Sequence, residues 1–153
     1  MNIDLLNRAP GGPELVAWFG YAPRFHDAEI LGVTLDRDLA SCSLRVHGFE
    51  MTNEVDANGF FACTKHVVVT FLFRDLTELR FEGFNHQNAV MGLYIERGLD
   101  AQFRMEIEPA FGLGGVIEGR GLEIGLQPGI PPGSQYQRPQ GAGGQDRARP
   151  PPL

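Results

Sequence analysis

From Glu29 to Leu126 apolar and polar residues alternate with a period of two, in short runs broken by polar or glycine-bearing stretches. That period belongs to strands with one buried face and leaves little of the chain for helices. Leu31, Val33 and Leu35 point one way and Ile30, Gly32 and Thr34 the other, until Asp36-Arg37-Asp38 marks a turn. Cys42, Leu44 and Val46 then alternate with Ser43, Arg45 and His47. The short connection predicts a hairpin.

The same reasoning extends along the chain. Glu50 to Asn58 is polar and ends in Asn58-Gly59, which predicts an exposed loop closed by a turn. Lys65 to Arg74 is apolar on both faces and reads as a central strand. Asp75 begins a turn into a strand over Glu78 to Phe84. Further strands follow at Asn88 to Glu96, around Phe103 to Glu108, and at Gly119 to Leu126, with the glycine-rich stretch from Phe111 to Gly115 irregular. Before the strands, Pro13 to Phe19 reads as a short helix: Pro13 suits its first turn, Gly20 stops it, and Leu15, Trp18 and Phe19 share a face. The first twelve residues read as loop. The expected fold is mainly β (α+β), an antiparallel sheet or sandwich of about seven strands with one short N-terminal helix.

Residues 127–153 are dominated by Pro, Gly, Gln and Arg, with little that could be buried, and read as a disordered tail after a single domain at 1–126. The formal charge is −6; the tail's three arginines against Asp146 give it +2, so the folded part carries −8. An acidic domain repels phosphate backbones and favours basic partners, so nucleic acid is disfavoured as a ligand. Val67 to Phe73 is far shorter than the roughly 20 apolar residues that span a bilayer. With no secretory signal pattern at the N-terminus, the expected compartment is the cytoplasm. Cys42 and Cys63 lack metal or redox-motif spacing and read as reduced, partly buried thiols, with a single bridge across neighbouring strands as the alternative that geometry decides.

Two clusters carry most of the chemistry. Arg24-Phe25-His26-Asp27-Ala28-Glu29 precedes the first strand and joins an imidazole to carboxylates, types suited to acid/base work or to a divalent metal. It fits no specific metal motif, and the structural reading is preferred, with Phe25 as a core anchor and His26 or Asp27 capping backbone amides. Asn85, His86 and Gln87 form a polar corner between two strands, able to recognise a partner or to satisfy buried backbone. Convergence of His26, Asp27 and His86 would make a small metal-dependent enzyme credible. His47 and His66 lie inside strand patterns without a carboxylate or thiol at ligand spacing and read as surface or pairing positions. The glycines after Phe111 lack the Lys-Ser/Thr of a phosphate loop, and no serine sits in a nucleophile elbow.

Trp18-Phe19-Gly20, Phe25-His26-Asp27-Ala28-Glu29-Ile30, the run from Leu79 through Phe84 into Asn85-His86-Gln87-Asn88, and Glu108-Pro109-Ala110-Phe111-Gly112 together resemble the immunity protein 50 family of bacterial polymorphic toxin systems. The resemblance spans residues 13–126. It implies a cytosolic, non-catalytic protein without cofactor that binds and neutralises a cognate toxin domain. The resemblance carries over no contact residues; His26, Asp27, Asn85 and His86 are the candidate partner-binding residues because they cluster in loop-like corners, with no catalytic or metal-ligating set. A general protein-interaction module is the competing class.

Overall fold

The structure is a computed structural model describing residues 1–100 and 102–136. Two short helices, α1 (Ile3–Leu6) and α2 (Gly12–Phe19), precede six strands: β1 (Glu29–Asp36), β2 (Ser41–Val55), β3 (Phe61–Glu82), β4 (Ala89–Glu96), β5 (Phe103–Phe111) and β6 (Gly114–Pro128). All pairings are antiparallel, in the closed order β1-β2-β3-β6-β5-β4. The mainly β class expected from the alternation is what the chain adopts, as a barrel.

The inward residues of each strand fill the barrel. Leu44, Phe71, Phe73, Leu93, Ile95, Met105 and Ile117 are fully buried. Burial of each such side chain contributes about 1.5–3 kcal/mol. Leu15 and Phe19 of α2 join the same core, and Phe19 meets Phe25 edge-on at 6.0 Å. Gly20 ends α2 in the left-handed region and returns its N–H to the Val16 carbonyl. The segment before α2 is tied to β6 by the Ile124 N–H donating to Pro10 O at 2.7 Å. Gly11 sits there at φ 85°, and a Cβ on it would overlap the Ile124 carbonyl. On the outer face, Arg104 bridges Glu78 at 2.9 Å and Glu118 at 2.7 Å, offsetting the repulsion between two carboxylates that the ladder sets opposite each other.

Four expectations are corrected. The glycine-rich stretch from Phe111 to Gly115 is not irregular throughout: β5 ends at Phe111, and β6 starts at Gly114 rather than Gly119, pairing Gly114 and Gly115 with Glu82 and Phe81. There are six strands rather than seven, because Asp75 does not turn the chain: it adopts φ 51° beside a register shift at Leu76/Glu78, a bulge, and β6 pairs with β3 on both sides of it. Glu50 to Val55 is not loop. It extends β2 and pairs with the start of β3 as a two-stranded arm, closed by a turn in which Asp56 accepts the Asn58 and Phe60 amides. Both faces of that arm meet solvent, so no alternation marked it. Finally, α1 is a second helix, one turn capped by the Asn2 side chain accepting Leu5 N–H at 3.1 Å, too short to show a period.

The boundary expected at 126 falls inside β6, which runs to Pro128, and residues 129–136 continue across the outside of the barrel. The remainder of the expected tail, 137–153, lies outside the described residues.

Candidate functional site

Asp27 organises one end of the barrel. The β1–β4 ladder has the single pair Glu29↔Ala89, and the seam continues through Asp27 N–H to Val90 O at 3.0 Å and Leu93 N–H to Arg24 O at 2.9 Å. Phe25 and Asp27 both adopt positive φ, 59° and 63°, so the chain kinks around a buried Phe25 ring that meets Phe71 edge-on at 5.7 Å. Phe25 is thus the core anchor that its sequence context suggested. The kink turns His26 outward, and its Nδ1 lies 3.1 Å from Asp27 Oδ1.

Two concavities meet at Asp27. One, of about 190 Å³, is walled by Asp27, Glu29, His86, Gln87, Gln135 and Tyr136. The other, of about 480 Å³, lies between the segment Tyr21 to Asp27 and β2 at Phe49 to Met51. Asp27 and His86 therefore share a cavity wall, and His26 lines the neighbouring groove. Glu29, in the smaller cavity, is pushed up from the ordinary carboxylate range by burial.

Asn85 is placed differently. Its Oδ1 accepts the Gln87 N–H at 2.9 Å and the Asn88 N–H at 3.1 Å, while buried Asn88 accepts from Asn85 N and Leu113 N and donates to Asn85 O. The two asparagines knit the corner, and His86 rides on it, exposed, edge-on to Phe111 at 6.1 Å. Among the described residues, no group of three or more His, Cys, Asp or Glu side chains is arranged to hold a metal ion. Cys42 and Cys63 are free thiols, and burial raises Cys42 to about 11.

Of the two readings open for His47 and His66, surface or pairing positions, the rings take the second: they pair with each other, and His47 is not at the surface. His47 is fully buried, its Nε2 lies 3.1 Å from His66 Nδ1, and its own Nδ1 has no partner among the described residues. Tyr136 packs on both rings and on Phe49, with centroids 5.7, 5.5 and 4.9 Å away. Burial and the neighbouring His66 lower His47 from 6.5 to about 4, and burial lowers His66 as well. Burial lifts the Tyr136 phenol to about 12. The alternation correctly put His47 on the outward face of β2; the covering segment was hidden in the low-complexity C-terminus.

The described chain is thus a small β-barrel with a carboxylate–imidazole rim and two open concavities at one end. No described helix is long and apolar enough to cross a membrane. The sequence profile of Immunity protein 50 matches residues 13–113, and the chain belongs to that family. No curated protein and no solved structure matches it.

Proposed function

We propose that this protein is a non-catalytic immunity protein that binds and neutralises the cognate toxin domain of a polymorphic toxin system, in the cytoplasm of the producing cell. Membership of the immunity protein 50 family carries the proposal. The acidity of the folded part favours a basic toxin domain and argues against nucleic acid. His26, Asp27 and His86 form the rim that meets the toxin, and Asn85 acts there by holding the corner that presents His86.

Co-expression with the toxic C-terminal domain encoded beside this gene tests the role. Survival and co-purification of a stable complex are the expected result; death of the cells with this protein folded and abundant would sink it. Alanine at His26, Asp27 or His86 should weaken the complex by about tenfold each, in the range of ordinary interface contacts. The melting temperature should stay put for His26 and His86, whose side chains are exposed. Substitutions that only lowered stability would return these residues to a purely structural role.

A further inference from the structure

The larger concavity coincides with an unpaired stretch of strand. The β1–β2 ladder ends at Glu29↔His47, because the chain before Glu29 swings away to close the barrel against β4. From Phe49 to Val55, β2 therefore has a strand neighbour only on its β3 side among the described residues. The groove of about 480 Å³ lies against the start of that free edge, at Phe49 to Met51, with Tyr21 and His26 on its far wall. An unpaired edge beside a groove is the arrangement into which an extended peptide adds as a further strand, its backbone pairing with the edge and alternate side chains filling the groove.

The surface there is apolar in a way the rest of the arm does not require. Tyr21, Met51, Val55 and Phe61 are 48%, 46%, 60% and 57% exposed. Phe61 and Cys63, two apart on β3, share a face, and their partners Val55 and Met51 share it with them. Charge selects the occupant. Residues 49–64 contain Glu50, Glu54 and Asp56 and no Lys or Arg, and Asp27 stands on the groove's other wall. Lys65 reaches Glu50 at 2.9 Å and Arg24 lines the groove, leaving the acidic side in excess.

We infer that the free edge of β2 from Phe49 to Val55, with its groove, is where the toxin docks, receiving an extended basic segment of the toxin as an added strand. The inference rests on the proposed immunity role and names the surface that carries it. Its apolar side chains lodge against Tyr21 and Met51, and its Lys or Arg residues face Glu50, Glu54 and Asp27.

The test uses the full chain and the adjacent toxin domain, with wild type, the double variant Met51→Lys/Val55→Lys, and Leu39→Lys as a control at another exposed apolar site. The double variant should keep the wild-type melting temperature and lose about hundredfold or more in affinity, while the control binds normally. Hydrogen exchange should show the amides of residues 50–55 becoming protected in the wild-type complex. Undiminished binding by the double variant, or unchanged exchange at those amides, would overturn the docking site while leaving the immunity role intact. Failure of the wild-type chain to bind the toxin domain would overturn both. Sedimentation of the protein alone as a dimer that the double variant dissociates would assign the edge to a second copy instead, and likewise overturn the inference.

Discussion

Asn88→Ala is expected to cost about 4 kcal/mol of stability, the sum of orphaned backbone groups and a strained backbone. The Asn88 Oδ1 is the acceptor for two amides, Asn85 N at 2.8 Å and Leu113 N at 3.1 Å, and its Nδ2 donates to Asn85 O at 2.7 Å. Alanine leaves all three groups unpaired at a site only 4% exposed. Asn88 also adopts φ 49°, a left-handed conformation that asparagine tolerates and alanine resists. For a domain of this size the loss corresponds to a fall of about 12 °C or more in melting temperature. Asn88→Gly separates the two causes: glycine removes the same hydrogen bonds but accepts the backbone angle, so it should recover about 1 kcal/mol. Thermal and urea unfolding of the three proteins decide it. A loss below about 1 kcal/mol for alanine would mean that water replaces the side chain and that the corner is not held by it. Since this corner presents His86 to the cavity it shares with Asp27, Asn88→Ala should also weaken the toxin complex without touching the toxin.

What the sequence disclosed, and what it hid, follows from where each residue's partners lie. Inward positions such as Leu44, Phe71, Phe73 and Ile95 were legible because a two-residue period on a half-buried strand needs no knowledge of the neighbour strand. The class of fold came with them. Closure into a barrel was not legible, since it depends on the seam at Glu29↔Ala89 and on backbone bonds from Asp27 and Leu93, which no side-chain pattern encodes. Asp75 misled because an acidic residue before a polar stretch marks turns and bulges alike; only the continuous pairing of β6 on either side distinguishes them. The candidate site divided along similar lines. His26, Asp27 and His86 were found as local clusters of polar groups, and they do gather at one end. Asn85 belonged to the same cluster but turns its polar atoms inward, to Gln87 and Asn88. The free edge of β2 carried no signal, for an arm exposed on both faces has a sequence like that of a loop.

The largest pH effect should come from His47, and it should appear as acid destabilisation. The folded protein holds His47 neutral, with its affinity for a proton lowered from 6.5 to about 4, whereas in the unfolded chain the ring titrates at its ordinary value. Between those values the unfolded chain binds the extra proton, so stability is complete above about pH 6.5, declines as the pH falls toward about 4, and levels off below. His66 is shifted in the same direction and adds to the decline; Glu29, raised by burial, opposes it at the acid end because there the folded state holds the proton more tightly. The expected loss between about pH 7.5 and pH 4.5 is about 2–3 kcal/mol, somewhat less than the full shift of His47 would give, because part of that shift is repulsion between two rings that need not be charged together. Urea unfolding across that range measures it, and the imidazole proton resonances report the two titrations separately. His47→Phe keeps a ring of similar shape against Phe49 and Tyr136 and removes the buried proton acceptor, so its stability should fall only as far as His66 dictates. A wild-type profile flat down to about pH 5, or a His47 resonance titrating near the value of an exposed imidazole, would show that water reaches the ring and that Tyr136 does not seal it. In the expected case, protonation displaces Tyr136 from β2 before the barrel itself opens, because the cation forms beneath that ring on the outer face of β2, while the inward core around Leu44, Phe71 and Phe73 holds, among the described residues, only the Cys42 thiol, which stays neutral at acid pH.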